Sequence, residues 1–530
     1  MTMMGKLLST FLLLLSVFSI VSSTRTRTRH SNSNIDWWCN QTPHPDPCKY
    51  YIKQSHYYHH KLKHKSEFRA ILIHLALERA VMMRKEARDM WQNRITKKQT
   101  SVFGDCLKLY DNTVFHLNRT LQGLQVKRSC SPFDAQTWLS TARTNIETCQ
   151  NGALELGVQD FMVPTERYNV TEIISNSLFV NWAFLKYETV HYTEDAYPSW
   201  VSMHERKLLQ SSSIKAHIVV AKDGSGHFKS VQAAINAAAR RRFKTRFIIH
   251  VKRGVYRENI EVGKTNDNIM LVGDGIRNTI ITSARSVQAG FTTYSSATAG
   301  IDGVHFIARD ITLRNTAGPM KGQAVALRSA SDLSVFYRCS IEGYQDTLMV
   351  HAQRQFYRGC YIYGTVDFIF GNAAAVFQNC VILVRRPLNG QANMITAQGR
   401  DDPFQNTGFS IHNSQIRAAP DLRPVVANFN TFLGRPWQRY SRVVVMKTFL
   451  DSFVSPMGWS PWGNTNFALN TLYYGEYKNF GPGSSTKNRV RWPGFHPITS
   501  PSEASQFTVA SLLAGRTWLP ATGVPFTSGL

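Results

Sequence analysis

Between residues 336 and 382 the chain repeats itself. Phe336-x-x-Cys339-x-Ile341 returns as Phe356-x-x-x-Cys360-x-Ile362 and again as Phe377-x-x-Cys380-x-Ile382, at a step of 20 or 21 residues. Looser echoes stand on either side, in Phe306-Ile-Ala-Arg-Asp310-Ile311 and Phe409-Ser-Ile411-His-Asn-Ser-Gln-Ile416. A period of this length, with one strand set per repeat, means a solenoid whose coils bury a face only by stacking on their neighbours. Short β-rich runs such as AHIVVA, RFIIHV, NIMLVG and TIITS, each bounded by Gly, Asp or Asn, carry the pattern back to the start of the second half. An all-β, right-handed parallel β-helix is therefore expected over residues 214–530.

Coil stacking turns spacing along the chain into proximity. Asp346 and Asp367 are 21 positions apart, one coil, and should lie nearly above one another. Adjacent strands are about 4.8 Å apart, which puts the two carboxylates roughly 5–6 Å apart. Gln323 and Gln345, 22 apart, extend the column by another coil. Two acids and two amides on one face suit acyl transfer: one carboxylate attacks a carbonyl, the other donates a proton to the leaving alcohol, and amide N–H groups hold the oxyanion. Asp367 is flanked by Val366, Phe368, Ile369 and Phe370, so it needs a cation or hydrogen-bond donors to remain an ionised nucleophile. Asp346 must keep its proton, and a like charge one coil away favours that. A retaining glycosidase uses carboxylates at similar separation, and spacing does not distinguish the two chemistries.

The first half has a different period. Phe68, Ile71, Leu72, Leu75 and Ala76 recur at three and four, and DAQTWLSTARTNIETC repeats the pattern, which predicts an all-α bundle over residues 66–185. Cys39 and Cys48 are placed to staple an N-terminal hairpin, Cys106 and Cys149 to tie two helices, with Cys130 left over. Residues 7–21, LLSTFLLLLSVFSIV, are shorter than a membrane span and are followed by Ser22 and Ser23, the pattern of a signal peptide over residues 1–23. Secretion would permit disulfides and glycosylation at Asn40, Asn118 and Asn169, each in an Asn-x-Thr sequon. DAYPSWVSMHERKLLQSSSIK, residues 195–215, reads as a linker, bounded at 191–213, and its Arg206-Lys207 pair as a protease site.

A net charge of +26 points to an acidic partner. Positive residues are scattered, and the one dense run, Arg240-Arg241-Arg242 with Lys244 and Arg246, follows the helix-like VQAAINAAA, where it reads as a solvated helix end. An acidic polysaccharide fits a secreted chain better than nucleic acid.

GVYRE (254–258), QAVAL (323–327), YQDTL (344–348), DFIFG (367–371) and LGRPW (433–437), in that order, resemble the plant pectin methylesterase family over residues 214–530. The helical part, residues 30–190, more loosely resembles the invertase and pectin methylesterase inhibitor family, as a four-helix-bundle pro-domain. The resemblance implies hydrolysis of the C6 methyl esters of homogalacturonan, giving methanol and de-esterified pectin, in the cell wall or apoplast and without a cofactor or metal. It makes Asp367 the nucleophile and Asp346 the general acid, then base. Gln345 and Gln323 become the oxyanion hole, Arg435 the group holding Asp367 ionised, and Trp437 a platform for a sugar ring. Thr293, in FTTYSSAT, is similar to a substrate-contacting position, and Gln323 and Arg435 would share in substrate binding. Met349 stands where an aromatic residue is common in the family. The resemblance also implies a Cys360–Cys380 disulfide with Cys339 free and buried, and basic processing at Arg206-Lys207-Leu208-Leu209 that frees the catalytic unit. A proteinaceous inhibitor and a processing protease are the implied protein partners. The competing reading is a non-catalytic, pectin-gripping or inhibitory wall protein, against which the intact Gln323, Gln345, Asp346, Asp367 and Arg435 argue.

Overall fold

A computed structural model of the chain describes residues 34–59, 61–90, 96–125, 130–161, 165–185, 215–242, 245–463 and 465–530. The expected signal peptide, the linker and Arg206-Lys207-Leu208-Leu209 lie outside these residues.

The second half winds into a right-handed parallel β-helix of three sheets, with eleven, seven and eight strands among the described residues. Leu313, Ile341, Ile362, Ile382, Ile416 and Leu450 occupy one in-register column of the interior, nearly all of them fully buried. Each coil presents an apolar side chain there because an unstacked coil would leave it in water. Phe336, Tyr357 and Phe377 form a second column, their rings stacked at 4.9 and 4.8 Å. Tyr357 and not Phe356 therefore belongs to the repeat. Phe356 points the other way, into a cluster with Val335, Val376 and the C-terminal Val509, Leu513 and Trp518 that covers the outer face of the eleven-stranded sheet.

The corner after this sheet explains both the register and the cysteines. Asp310, Arg338, Gly359, Asn379, Asn413 and Lys447 all have left-handed φ, between 50° and 61°, one per coil. The next residue in three of these coils is Cys339, Cys360 or Cys380, and in two later ones Ser414 or Thr448. Ser414 Oγ donates to Phe377 O and Thr448 Oγ1 to Ile411 O. Cys360 Sγ makes the same bond to Phe336 O at 3.2 Å, and Cys380 Sγ reaches Tyr357 O at 3.6 Å. The expected Cys360–Cys380 disulfide is thus corrected: both are buried free thiols, as is Cys339. The Cys360 and Cys380 sulfurs each act as a weak donor to the preceding coil, whereas Cys339 Sγ bonds to Tyr337 O within its own.

The first half is helical: α1 (Asn34–Asn40), α2 (Pro45–Gln54), α3 (Lys65–Met90), α4 (Lys97–Gln125), α5 (Pro132–Leu156) and α6 (Val170–Leu185). The last four, which are the longest, pack around Leu72, Leu75, Leu109, Leu139, Ile146 and Ile174. Disulfides join Cys39 to Cys48 and Cys106 to Cys149, as the spacing predicts, the second tying α4 to α5. Ser131 and Asp134 close a capping box at the start of α5, and Gly157, at φ 67°, ends it. Asn40 and Asn118 are exposed, whereas Asn169 is half-buried and accepts a hydrogen bond from Tyr51 Oη. At the first coils of the β-helix, Glu258 of GVYRE caps α7 (Val231–Ala239), accepting from Val231 N and Gln232 N at 2.9 and 3.0 Å, while α7 covers the open interior with Ala234, Ile235 and Ala238.

The two halves are in contact. Trp138 Nε1 donates to Asp332, Asn372 Nδ2 to Thr144, and Thr148 pairs with His351, all between α5 and the β-helix. Alkylation of the unfolded, non-reduced chain, followed by peptide mass mapping, should label Cys339, Cys360 and Cys380 fully and leave Cys39, Cys48, Cys106 and Cys149 unlabelled.

Candidate active site

The candidate site lies over the middle strands of the seven-stranded sheet, on the face that carries Met349, Phe370 and Ala397. Leu348 pairs with Ile369 and Met349 with Phe370, so the residues two places earlier, Asp346 and Asp367, sit in the same one-coil register. Both aspartates have left-handed φ, 59° and 51°. A non-glycine residue pays for that conformation, typically about 1 kcal/mol or more, and such residues concentrate where geometry is functional. Here the turn aims two carboxylates the same way off the end of the coil. Gly371, closing DFIFG at φ 115°, has no substitute: a Cβ there would lie 2.2 Å from Val350 O.

Thr293, Gln323, Gln345, Asp346, Asp367, Arg435 and Trp437 all line one cavity of about 520 Å³. The structure thus brings every candidate catalytic or substrate-binding side chain into the same space. Arg435 follows the strand Thr431–Gly434, two coils beyond Asp367, yet reaches it in a two-pronged pair: Nε to Oδ1 at 2.8 Å and an Nη to Oδ2 at 2.6 Å. This is the cation that the apolar setting of Asp367 demanded. The side-chain amides of Gln323 and Gln345 have no hydrogen bond to another described residue and face the cavity. Phe370 and Trp437 meet edge to face at 5.9 Å, and Met349 is buried in the same wall.

Electrostatics separates the two acids. Burial, then the charge of Asp367, then that of Glu155, push Asp346 well above the usual carboxylate range, with only partial opposition from Arg435. Burial also raises Asp367, but the Arg435 hydrogen bonds and charge pull it back. Of the two, Asp346 is thus the weaker acid.

Two contributors escaped sequence reading. Trp462 lines the cavity with its ring over the Arg435 guanidinium, 4.4 Å from Cζ to centroid. Thr148, Asn151, Gly152, Leu154 and Glu155 of α5 also line it. Glu155 Oε2 accepts from Thr293 N at 2.8 Å, and its other oxygen accepts from the Thr293 hydroxyl. Gly152 sits close against Thr292, where a Cβ would come within 3.3 Å of Cγ2. On α4, Asp105 accepts from the Thr292 hydroxyl, and burial pushes its carboxyl up to about 6. The only sequence signal for this contact is the run of small polar residues on α5, whose burial nothing local explains.

Comparison with known proteins gives two family matches. The pectinesterase family model matches residues 217–516, and that of the plant invertase/pectin methylesterase inhibitor family residues 33–180. Among curated relatives, "Probable pectinesterase/pectinesterase inhibitor 33" of Arabidopsis thaliana is 59% identical over 514 residues, covering 94% of this chain and 86% of that protein. "Pectinesterase 2" of Citrus sinensis is 52% identical, covering 96% and 98%. Among solved structures, a pectin methylesterase from carrot is 56% identical with a TM-score of 0.59, covering 60% of this chain and all of its own. One from Aspergillus niger is 28% identical with a TM-score of 0.50, covering 58% and 96%.

Replacing Arg435 by Gln leaves Asp367 buried without its cation. The acid limb of the pH–rate profile should move up by about one unit or more, and kcat should fall by about 10²-fold or more, both read from hydrolysis rates between pH 4 and 9.

Proposed function

The chain belongs to the pectinesterase family, and from that premise we propose how its site hydrolyses a pectin methyl ester. The chain is a carboxylic ester hydrolase that de-methylesterifies pectin. In the proposed mechanism an Asp367 oxygen attacks the C6 carbonyl carbon of a methyl galacturonate unit. Gln323 and Gln345 donate N–H bonds to the oxyanion. As the tetrahedral intermediate collapses, the C–OCH₃ bond breaks, Asp346 passes its proton to the departing oxygen, and methanol leaves. The resulting acyl-enzyme is an anhydride between Asp367 and the sugar. Asp346, now ionised, takes a proton from water, and the hydroxide formed attacks the acyl carbon. The product leaves as a carboxylic acid that gives its remaining proton to solvent, Asp367 regains its charge, and Asp346 has its proton back. Thr293 and Trp437 hold the polymer, the latter as a ring platform.

The observation that carries this reading is the bidentate Arg435–Asp367 pair, with Asp346 in the same cavity. The carrot protein, whose whole chain corresponds to 60% of this one, stands as a folded unit without the helical part. Residues 215–530 are thus a suitable enzyme for the test. They should release methanol from highly methylated pectin, and Asp367→Asn should lower the rate by about 10³-fold or more. A folded, pectin-binding unit that releases none would favour the non-catalytic reading instead.

Residues 30–190 act, in this proposal, as a pro-domain that restrains the enzyme by laying α5 across the cleft, with Glu155 on Thr293. Cleavage at Arg206-Lys207-Leu208-Leu209 then frees the unit after secretion to the cell wall, where an excess of Lys and Arg suits a polyanionic product. A wall-located inhibitor and a processing protease are its proposed protein partners. Among the described residues no helix is long and apolar enough to cross a membrane.

Docking of the two halves is also expected to depend on pH. Asp105 moves from an ordinary 3.8 to about 6 in the docked state, so docking takes up a proton. That contribution is complete below about pH 4 and is lost as pH rises through 6. Affinity between separately made halves, measured by calorimetry, should fall from pH 4 to pH 7.

A further inference from the structure

Trp462 is presented to Arg435 by a stem fixed in the core. Trp459 is fully buried, stacks on Tyr474 at 4.2 Å, and donates through Nε1 to Glu476, itself paired with Arg489. Gly434, the residue before Arg435, bridges to Trp459 and accepts a hydrogen bond from Ser460 N at 3.0 Å. Pro461 follows, with its φ fixed by the ring, and Trp462 O is then held by the Thr465 hydroxyl at 2.8 Å. Backbone and indole are thus tied to the same short strand end that supplies the guanidinium.

Arg435 needs such a partner. One edge of its guanidinium, Nε and an Nη, is committed to Asp367, and Asp367 is the only carboxylate with which it forms an ion pair among the described residues. The charged and titratable groups around it are Asp367, Asp346 and Tyr474. Among the described residues no backbone carbonyl accepts from its side chain. A face-on indole supplies attraction to the cation and excludes competing rotamers at once.

We propose that Trp462 is a positioning residue for the esterase reaction, clamping the Arg435 guanidinium in the plane that holds the Asp367 carboxylate for attack. This rests on the assignment of Asp367 as nucleophile. Trp462 acts through Arg435; its distance and stacking geometry set how firmly the carboxylate is oriented and kept ionised, and Trp437 remains the sugar platform.

The test compares Trp462→Phe and Trp462→Leu with the unsubstituted residues 215–530 on methylated pectin. Leu keeps apolar bulk without a π face; Phe keeps the face. For Leu, kcat should fall about 3- to 30-fold and the acid limb of kcat should rise by about half a unit to one unit, with KM changed less than about two-fold. Phe should recover most of both. Thermal unfolding of each variant identifies any loss caused by a damaged loop. A raised KM with kcat and its acid limb unmoved would make Trp462 a sugar platform and overturn the proposal. So would a Phe variant as impaired as Leu, which would mean that indole packing alone is required. The nucleophile assignment fails on a different result, methanol release that survives Asp367→Asn, so the two failures are told apart.

Discussion

In-register stacking of parallel coils is the constraint on which the rest of this structure depends. It puts Leu348 beside Ile369 and Met349 beside Phe370, and so brings Asp346 and Asp367 into one cavity although 20 residues separate them in the chain. The same ladder delivers Arg435 from two coils away to the far side of Asp367. Left-handed φ at both aspartates is tolerated because the strands on either side are paired above and below, so local cost is offset by stacking that is fixed elsewhere. Geometry then becomes chemistry through unequal electrostatics: two carboxylates are buried together, only one of them is given a cation, and the proton goes to the other.

A cleft built this way is also a surface to be covered. Tyr294, Val325, Met349, Phe370 and Ala397 form an apolar floor in one cluster with the core of the helical bundle. Around it lie the polar contacts of α5, including Arg143 with Asp401 and Arg354 with Asp134. Apolar contact of this kind, unlike the surrounding ion pairs, needs no match of charge. The acids Asp105, Glu155 and Glu147, all raised by burial, make the contact sensitive to protons. Trp462 and Glu155 thus meet the catalytic groups from opposite origins, one tied to the β-helix core and one brought by the bundle.

Much of this was legible in the sequence, for reasons that can be named. The Asp346–Asp367 spacing equals one coil, and periodicity distinguishes the halves because a helix and a coil bury different positions. Where reading failed, a non-local partner decided the outcome. The tripeptide Phe-Tyr-Arg occurs at both 336 and 356 and suggests the wrong register; the left-handed corner, filled by Arg338 in one coil and Gly359 in the next, sets the true one. Cys360 and Cys380 resemble a bridged pair, but each sulfur bonds to the carbonyl of the preceding coil, in the manner of Ser414 and Thr448. Thr137, Ser140, Thr141, Thr144 and Thr148 spell a solvent face on α5, yet they are buried because the β-helix covers them. Trp462 lay in a loop with no repeat to align it.

The central claim is that Asp346 holds the proton while Asp367, clamped by Arg435, holds the charge. Infrared spectroscopy of the full-length chain near neutral pH reads this directly from the carbonyl stretch of buried protonated carboxyl groups. On this account one such band disappears in Asp346→Asn and survives in Asp367→Asn. A band lost with Asp367 and retained without Asp346 would reverse the assignment of nucleophile and acid.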